Sequence, residues 1–228
     1  MNIAIIPARG GSKRIPRKNI LEFAGMPMIA HSILAAKKTG IFDKVVVSTD
    51  DAEIADVAKH YGAEIPFIRP ESLSDDITGT VPVIAHAVDA LMKSSFAIKN
   101  VCCIYATAPF IQPEDLIDGL KILKSTNADY AFSVTDYAFP IQRALKISQQ
   151  KTVEMFFPEH YRTRSQDLEE TFHDAGQFYW GTSEAWIKQM PIFNSFSVPV
   201  FLPRTRVQDI DTQVDWDRAE QLYFLLNR

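Results

Sequence analysis

At 228 residues, 46% of them hydrophobic, the chain is long enough to bury one sizeable core and reads as a single domain over residues 1–228 carrying an insertion. Its 24 Lys and Arg against 28 Asp and Glu leave a formal charge of −4, which excludes a general attraction to nucleic acid or to an anionic membrane surface. No window has the apolar length of a membrane span, and the opening residues read as a first strand rather than a leader, so a cytoplasmic protein is expected.

In chain order, Ile3-Ala4-Ile5-Ile6 predicts a buried parallel strand emptying into a loop rich in glycine and cations, from Ala8 to Asn19. A helix follows from Pro27 to Gly40, with His31 as an ordinary helix residue. Next come a strand at Lys44–Asp50 and a helix capped by Asp50 or Asp51 that runs to Gly62. Glu64–Ile68 predicts a short edge strand because it carries Pro66. After a polar loop from Arg69 to Asp76, a helix is expected over about Thr80–Lys93. Val101–Thr107 predicts a central strand in which Cys102 and Cys103 are buried thiols, since adjacent cysteines suit neither a disulfide framework nor a metal site. A helix begins near Pro113, and Tyr130–Thr135 is a fifth strand. The alternation stops between about residues 137 and 172, which reads as an inserted arm. Gln177–Trp180 resumes a strand, Thr182 caps a short helix, Phe196–Leu202 is extended, and Val214–Leu226 is a closing helix with Trp216, Ala219, Leu222, Tyr223 and Leu226 on one face. Strands alternating with helices imply an α/β fold of three layers around a mostly parallel sheet, with its ligand crevice at the carboxyl ends of the strands.

The first loop holds Arg9, Gly10, Gly11, Ser12, Lys13, Arg14, Arg17 and Lys18, but neither Gly-x-x-x-x-Gly-Lys-Ser/Thr nor Gly-x-Gly-x-x-Gly. Five cations in ten residues repel one another unless an anion sits among them, so phosphate binding is favoured over a merely solvated basic loop. In Asp209-Ile210-Asp211, residues i and i+2 of an extended segment project to one side. Two hard oxygen donors there suit Mg²⁺; the alternative is that Asp211 or Thr212 simply caps the last helix.

These segments together resemble the CMP-sialic acid synthetase family of cytidylyltransferases. Ile6-Pro7-Ala8-Arg9-Gly10-Gly11-Ser12-Lys13 with Lys18-Asn19 is similar to its signature, Arg69-Pro70, Leu73, Asp75-Asp76 and Thr80 to its second nucleotide loop, and Asp209-Ile210-Asp211 to its metal pair. The resemblance implies the fold of nucleotide-diphospho-sugar transferases, with the arm of about 137–172 joining a homodimer. It implies transfer of CMP from CTP to the anomeric hydroxyl of an acidic nine-carbon sugar, releasing pyrophosphate. Ala8, Arg9 and Asn19 would lie against the cytidine, Arg69 and Thr80 around base and ribose, and Arg9, Lys13 and Lys18 would hold the triphosphate, with Gly10, Gly11 and Ser12 completing the nucleotide-binding loop. Asp209 and Asp211 would hold Mg²⁺ and, with Arg9 and Lys18, form the catalytic set. Tyr105 and Ala175-Gly176-Gln177 depart from the sialic acid pattern. With Tyr105-Ala106-Thr107-Ala108-Pro109-Phe110, Arg164 to Glu169 and His173 to Gly181, they resemble the pseudaminic acid branch, which serves surface glycan or flagellin modification. Tyr105, Thr107, Gln177 and Tyr179 would then meet the sugar, Gln177 and Tyr179 from the face opposite Phe178 and Trp180. Arg143, Lys146, Arg162 and Arg164 are candidates for a sugar carboxylate or for subunit pairing. The alternatives are another acidic-sugar cytidylyltransferase (sialic, legionaminic or 3-deoxy-octulosonic acid) and a non-catalytic nucleotide-binding module.

Overall fold

A computed structural model describes residues 1–94 and 96–227. Six strands form one sheet in the order β10-β6-β9-β5-β1-β4: β1 (Asn2–Pro7), β4 (Lys44–Ser48), β5 (Asn100–Ile104), β6 (Tyr130–Asp136), β9 (Phe172–Thr182) and β10 (Ser197–Phe201). The intervening labels belong to two small ribbons, β2 (Glu22–Phe23) with β3 (Met26–Pro27), and β7 (Leu145–Ile147) with β8 (Val153–Met155). Six α-helices complete the chain: α1 (Met28–Lys38), α2 (Ala52–His60), α3 (Thr80–Lys93), α4 (Pro113–Thr126), α5 (Ser183–Ile187) and α6 (Gln213–Leu226). None of the described helices is long and apolar enough to cross a membrane.

Strand alternation sorts the core into two layers. Ala4, Ile6, Val45, Val47, Cys102, Ile104, Phe178 and Trp180 pack under α1, α2 and α4. Ile3, Ile5, Val46, Val101, Cys103, Tyr130 and Tyr179 pack under α3 and α5. Both thiols are free and fully buried, and burial pushes them well above their ordinary range. Helix α4 lies so close to the sheet that a Cβ on Gly119 would stand 2.7 Å from Trp180 Cδ1, so only glycine fits there. A third cluster seats α6 on the N-terminal segment through Ile15, Phe23, Met28, Phe110, Ile210, Trp216 and Ala219.

The predicted strands and helices recur with three changes. The Glu64–Ile68 strand shrinks to one bridge between Glu64 and Val46, because Pro66 has no N–H to extend the ladder. The arm contains the antiparallel ribbon of β7 and β8 and several single 3₁₀ turns, none of which has a readable period. Finally, β9 runs antiparallel to both neighbours and stands between β5 and β6, while β1 pairs in parallel with β4 and β5, and β10 with β6.

Candidate active site

The polar loops at the carboxyl ends of β1 and β5 enclose a cleft of about 490 Å³. Arg9, Ser12, Lys13, Arg14, Lys18 and Asn19 form one wall, the segment from Arg69 to Thr80 the opposite wall, and Tyr105 to Thr107 the floor between them. Thus nine of the predicted residues, Arg9, Ser12, Lys13, Lys18, Asn19, Arg69, Thr80, Tyr105 and Thr107, share one cavity.

The chain's own carboxylates neutralise the loop cations. Arg9 Nη1 donates to the Asp75 carbonyl and to Asp76 Oδ1, each at 2.6 Å, and Lys13 pairs with the same Asp76 carboxylate. Lys13 and then Arg9 hold the Asp76 carboxyl below its ordinary value. Arg14 Nη1 reaches Asp211 Oδ2 at 2.8 Å, while Lys18 Nζ donates to the Ile210 carbonyl at 2.6 Å and lies 3.4 Å from Asp211 Oδ1. Arg17 is neutralised too, but outside the cleft. It turns away to a bidentate contact with Asp51 at 2.5 and 2.9 Å and to Glu53 at 2.5 Å, and this holds the Asp51 carboxyl at about 2.

Two buried polar residues shape the walls. Asn19 Nδ2 donates to the Arg9 carbonyl at 3.0 Å and so pins the loop back on itself. Arg69, only 4% exposed, donates from Nε to Ser48 Oγ at 3.2 Å and from Nη2 to the Ser48 carbonyl. Burial pulls its guanidinium down to about 10, leaving it cationic at neutral pH. On the floor, the Thr80 and Tyr105 hydroxyls are 2.8 Å apart.

Seven predicted residues are not among those lining this cavity: Asp211, with Asp209 beside it, borders it through Arg14 and Lys18, and the other five lie elsewhere. Ala8 is buried in the core, and its amide donates to the Ser48 carbonyl at 2.9 Å. Gly10 packs against the start of α2: its amide donates to Asp50 Oδ1 at 3.0 Å, and an added Cβ would meet Asp51 Oδ2 at 2.6 Å. Gly11 is likewise absent from the wall. Gln177 does not share a face with Tyr179, because β9 bulges beside Phe132 and Val134. There Gly176 adopts φ +62°, and the amides of Gln177 and Phe178 both donate to Ser133 Oγ. The Gln177 side chain consequently donates to the Arg206 carbonyl at 2.7 Å, beside Asp115 of α4. Tyr179 is 2% exposed and lies behind Tyr105, with ring centroids 5.3 Å apart.

In the 209–211 segment, Ile210 enters the core at 1% exposure and the two flanking carboxylates remain together on the outer side. Thr212 and Asp215 form the capping box of α6, so Asp211 is not the cap. Partial desolvation and then the like charge of Asp211 push the Asp209 carboxyl up. Among the described residues no group of three or more His, Cys, Asp or Glu is placed to hold a metal ion. An acidic pair held against its own repulsion beside phosphate-type cations fits Mg²⁺, which takes one or two protein carboxylates and completes its shell with water and phosphate. Of the arm cations, Arg143 donates to the Tyr161 and Thr163 carbonyls, Lys146 pairs with Glu154, and Arg164 with Asp167.

Residues 3–224 match the family model described as Cytidylyltransferase. This chain belongs to the cytidylyltransferase family. It is therefore a CTP-using nucleotidyltransferase. Among curated relatives, it is 46% identical to the pseudaminic acid cytidylyltransferase of Campylobacter jejuni over 222 residues, covering 97% of this chain and 96% of that one. It is 32% identical to the CMP-N,N'-diacetyllegionaminic acid synthase of Legionella pneumophila, covering 96% and 95%. Among solved structures, CMP:2-keto-3-deoxy-manno-octonic acid synthetase complexed with CTP superposes with a TM-score of 0.71 over 98% of both chains at 16% identity, a likeness of fold. The mostly parallel α/β architecture is thus that of the family. Sequence reading placed Asp75-Asp76 in the second nucleotide loop but not the clamp of Asp76 on Arg9 and Lys13, since no local pattern joins positions 67 residues apart.

Proposed function

We propose that the enzyme transfers CMP from CTP to the anomeric hydroxyl of pseudaminic acid, giving a CMP-sugar and pyrophosphate, with Mg²⁺ held by Asp209 and Asp211. The observation that carries the chemistry is the convergence of Arg9, Lys13, Arg14 and Lys18 on one cleft beside an acidic pair. The choice of sugar is supported by the 46% identity, over nearly the whole of both chains, to a cytidylyltransferase named for pseudaminic acid.

In this reading the triphosphate displaces Asp76 from Arg9 and Lys13, exchanging one set of charge-assisted hydrogen bonds for another. Arg9, Lys13 and Lys18 then balance charge that develops on the departing pyrophosphate, in a cleft where such groups are already oriented. When bound, Mg²⁺ supplies further charge neutralisation at the phosphate oxygens. Arg69 and Asn19 hold the walls against which the nucleoside lies, and Tyr105 and Thr107 border the acceptor sugar. The protein acts in the cytoplasm as a homodimer joined through the 137–172 arm, and its product feeds surface glycan or flagellin modification.

The test is pyrophosphate release from CTP and Mg²⁺ with pseudaminic, legionaminic, sialic and 3-deoxy-octulosonic acids in parallel. Release is expected fastest with pseudaminic acid. Faster release with another acid reassigns the sugar. Binding of CTP with no release from any acid overturns turnover in favour of a nucleotide-binding module.

A further inference from the structure

The segment that carries the acidic pair is tied down just upstream of Asp209, at Arg206. Its guanidinium reaches α4: Nη1 and Nη2 donate to Asp115 Oδ2 and Oδ1 at 2.6 and 2.9 Å, and Nη1 lies 3.4 Å from the Phe110 carbonyl. The carbonyl of the same residue accepts from Gln177 Nε2 on β9 at 2.7 Å. Arg206 is thus fastened by its side chain to a helix and by its backbone to the sheet.

Both anchors are firm. Asp115 lies in the first turn of α4, where it accepts the Gln112 amide at 3.0 Å and closes that helix's capping box. Gln177 sits in the bulge of β9, its amide on Ser133 Oγ and its carbonyl accepting the Tyr105 amide at 2.9 Å. A carbonyl can only accept, so the Gln177 side chain has one orientation, with Nε2 toward Arg206. The Arg206 and Asp115 side chains are mostly withdrawn from water, at 21 and 12% exposure. Such a pair adds little net stability over apolar groups of the same size, but the guanidinium fork fits the carboxylate in one arrangement.

Downstream, the chain has little to hold it except its ends. Among the described residues, the amides of Gln208, Asp209 and Ile210 donate to no backbone carbonyl. The far end is Ile210, buried in the cluster that includes Phe110, with its carbonyl bonded to Lys18 Nζ at 2.6 Å. Asp209 is suspended between these two fixed points.

We propose that Arg206 and Gln177 are positioning residues: acting through the backbone of residues 206–210, they fix where the Asp209 carboxylate stands beside Asp211 and so set the affinity of the pair for a divalent cation. This rests on the reading of Asp209 and Asp211 as the Mg²⁺ pair. It gives Gln177, expected from the sequence to meet the sugar, a task at the metal instead.

The experiment measures the Mn²⁺ affinity of the CTP-loaded protein without sugar, from the EPR signal of the free ion, for the wild type, Q177M, R206K, D209N and D209N/Q177M. CTP affinity without metal, sugar KM and the thermal midpoint are measured alongside. Q177M and R206K should each weaken Mn²⁺ binding roughly tenfold, as the loss of groups that orient a metal ligand typically does. CTP affinity and the sugar KM at saturating Mg²⁺ should stay within twofold of wild type. Excess Mg²⁺ should restore turnover, which it would not do for a loss of folding alone. D209N/Q177M should bind Mn²⁺ no more weakly than D209N, because the carboxylate being positioned is gone. The thermal midpoint reports folding; if R206K is unfolded at the assay temperature, Q177M, which leaves the ion pair intact, carries the test alone. Mn²⁺ affinity within twofold of wild type in Q177M overturns the proposal, and a raised sugar KM with it returns Gln177 to the sugar. A double variant weaker than D209N overturns it as well. If D209N itself leaves Mn²⁺ binding unchanged, the metal reading of the acidic pair has failed, and the two failures are told apart.

Discussion

At the residue scale, the division of labour between Asp211 and Thr212 decides what each substitution does. Thr212 Oγ1 accepts the Asp215 amide at 3.3 Å, and Thr212 N and Oγ1 each donate to Asp215 Oδ2 at 2.8 Å. Asp211 is left to face Arg14 and Lys18. Replacing Asp211 with Asn should therefore lower turnover more than a hundredfold while the thermal midpoint moves by only a few degrees. Thr212→Ala should instead cost about 1 kcal/mol of stability and keep turnover at permissive temperature. Thermal melts and pyrophosphate assays on the two variants check this; a reversed pattern would return Asp211 to a capping role. The acidic pair was legible in the sequence because strand period alone puts 209 and 211 on one side. Gln177 was misread for the same reason, since a bulge suspends that period. The pairing of Asp76 with Arg9 had no local signal at all.

At the element scale, helix α1 is fastened to the N-terminal ribbon and to α6 through His31. Its Nε2 is 2.9 Å from the Phe23 carbonyl, and its ring meets Phe23 and Tyr223 edge-on at 5.5 and 5.1 Å. Burial is the main cause that lowers the His31 pKa from 6.5. The folded chain consequently binds this proton less readily than the unfolded chain. His31 contributes stability above about pH 6.5 and loses it as pH falls through that value. His31→Gln should make urea midpoints at pH 7.5 and 5.5 differ less than in the wild type. An unchanged difference would assign acid sensitivity elsewhere. Sequence reading placed His31 on the correct helix, but a single helix cannot say what covers its faces. The direction of β9 was equally hidden: its residues Phe178 and Trp180 read as core in either orientation, and only the connection through the arm decides it.

At the scale of the whole molecule, the three-layer plan was legible because strands β1, β4 and β5 are apolar and buried on both faces and alternate with segments of helical period. The arm was legible only as an interruption. Its ribbon leaves Leu145, Ile147 and Val153 at 57, 67 and 60% exposure, and a two-stranded ribbon alone in water is marginal. A second copy covering it is the expected remedy. Sedimentation of the wild type should give a dimer at micromolar concentration, and L145E/I147E a monomer that still binds CTP; a wild-type monomer would remove the arm from any role in assembly. The place of β9 bears on how the chain is made. Until residues 172–182 leave the ribosome, β6 has no partner, since both of its neighbours follow it in the chain, and the sheet of β4, β1 and β5 ends in a bare edge at β5. At 5–20 residues per second, the interval between the end of β5 and the end of β9 lasts roughly ten seconds. In that window the phosphate-facing half has all three of its strands and no closed sheet, which makes it the stretch of biosynthesis most exposed to aggregation and most in need of a chaperone.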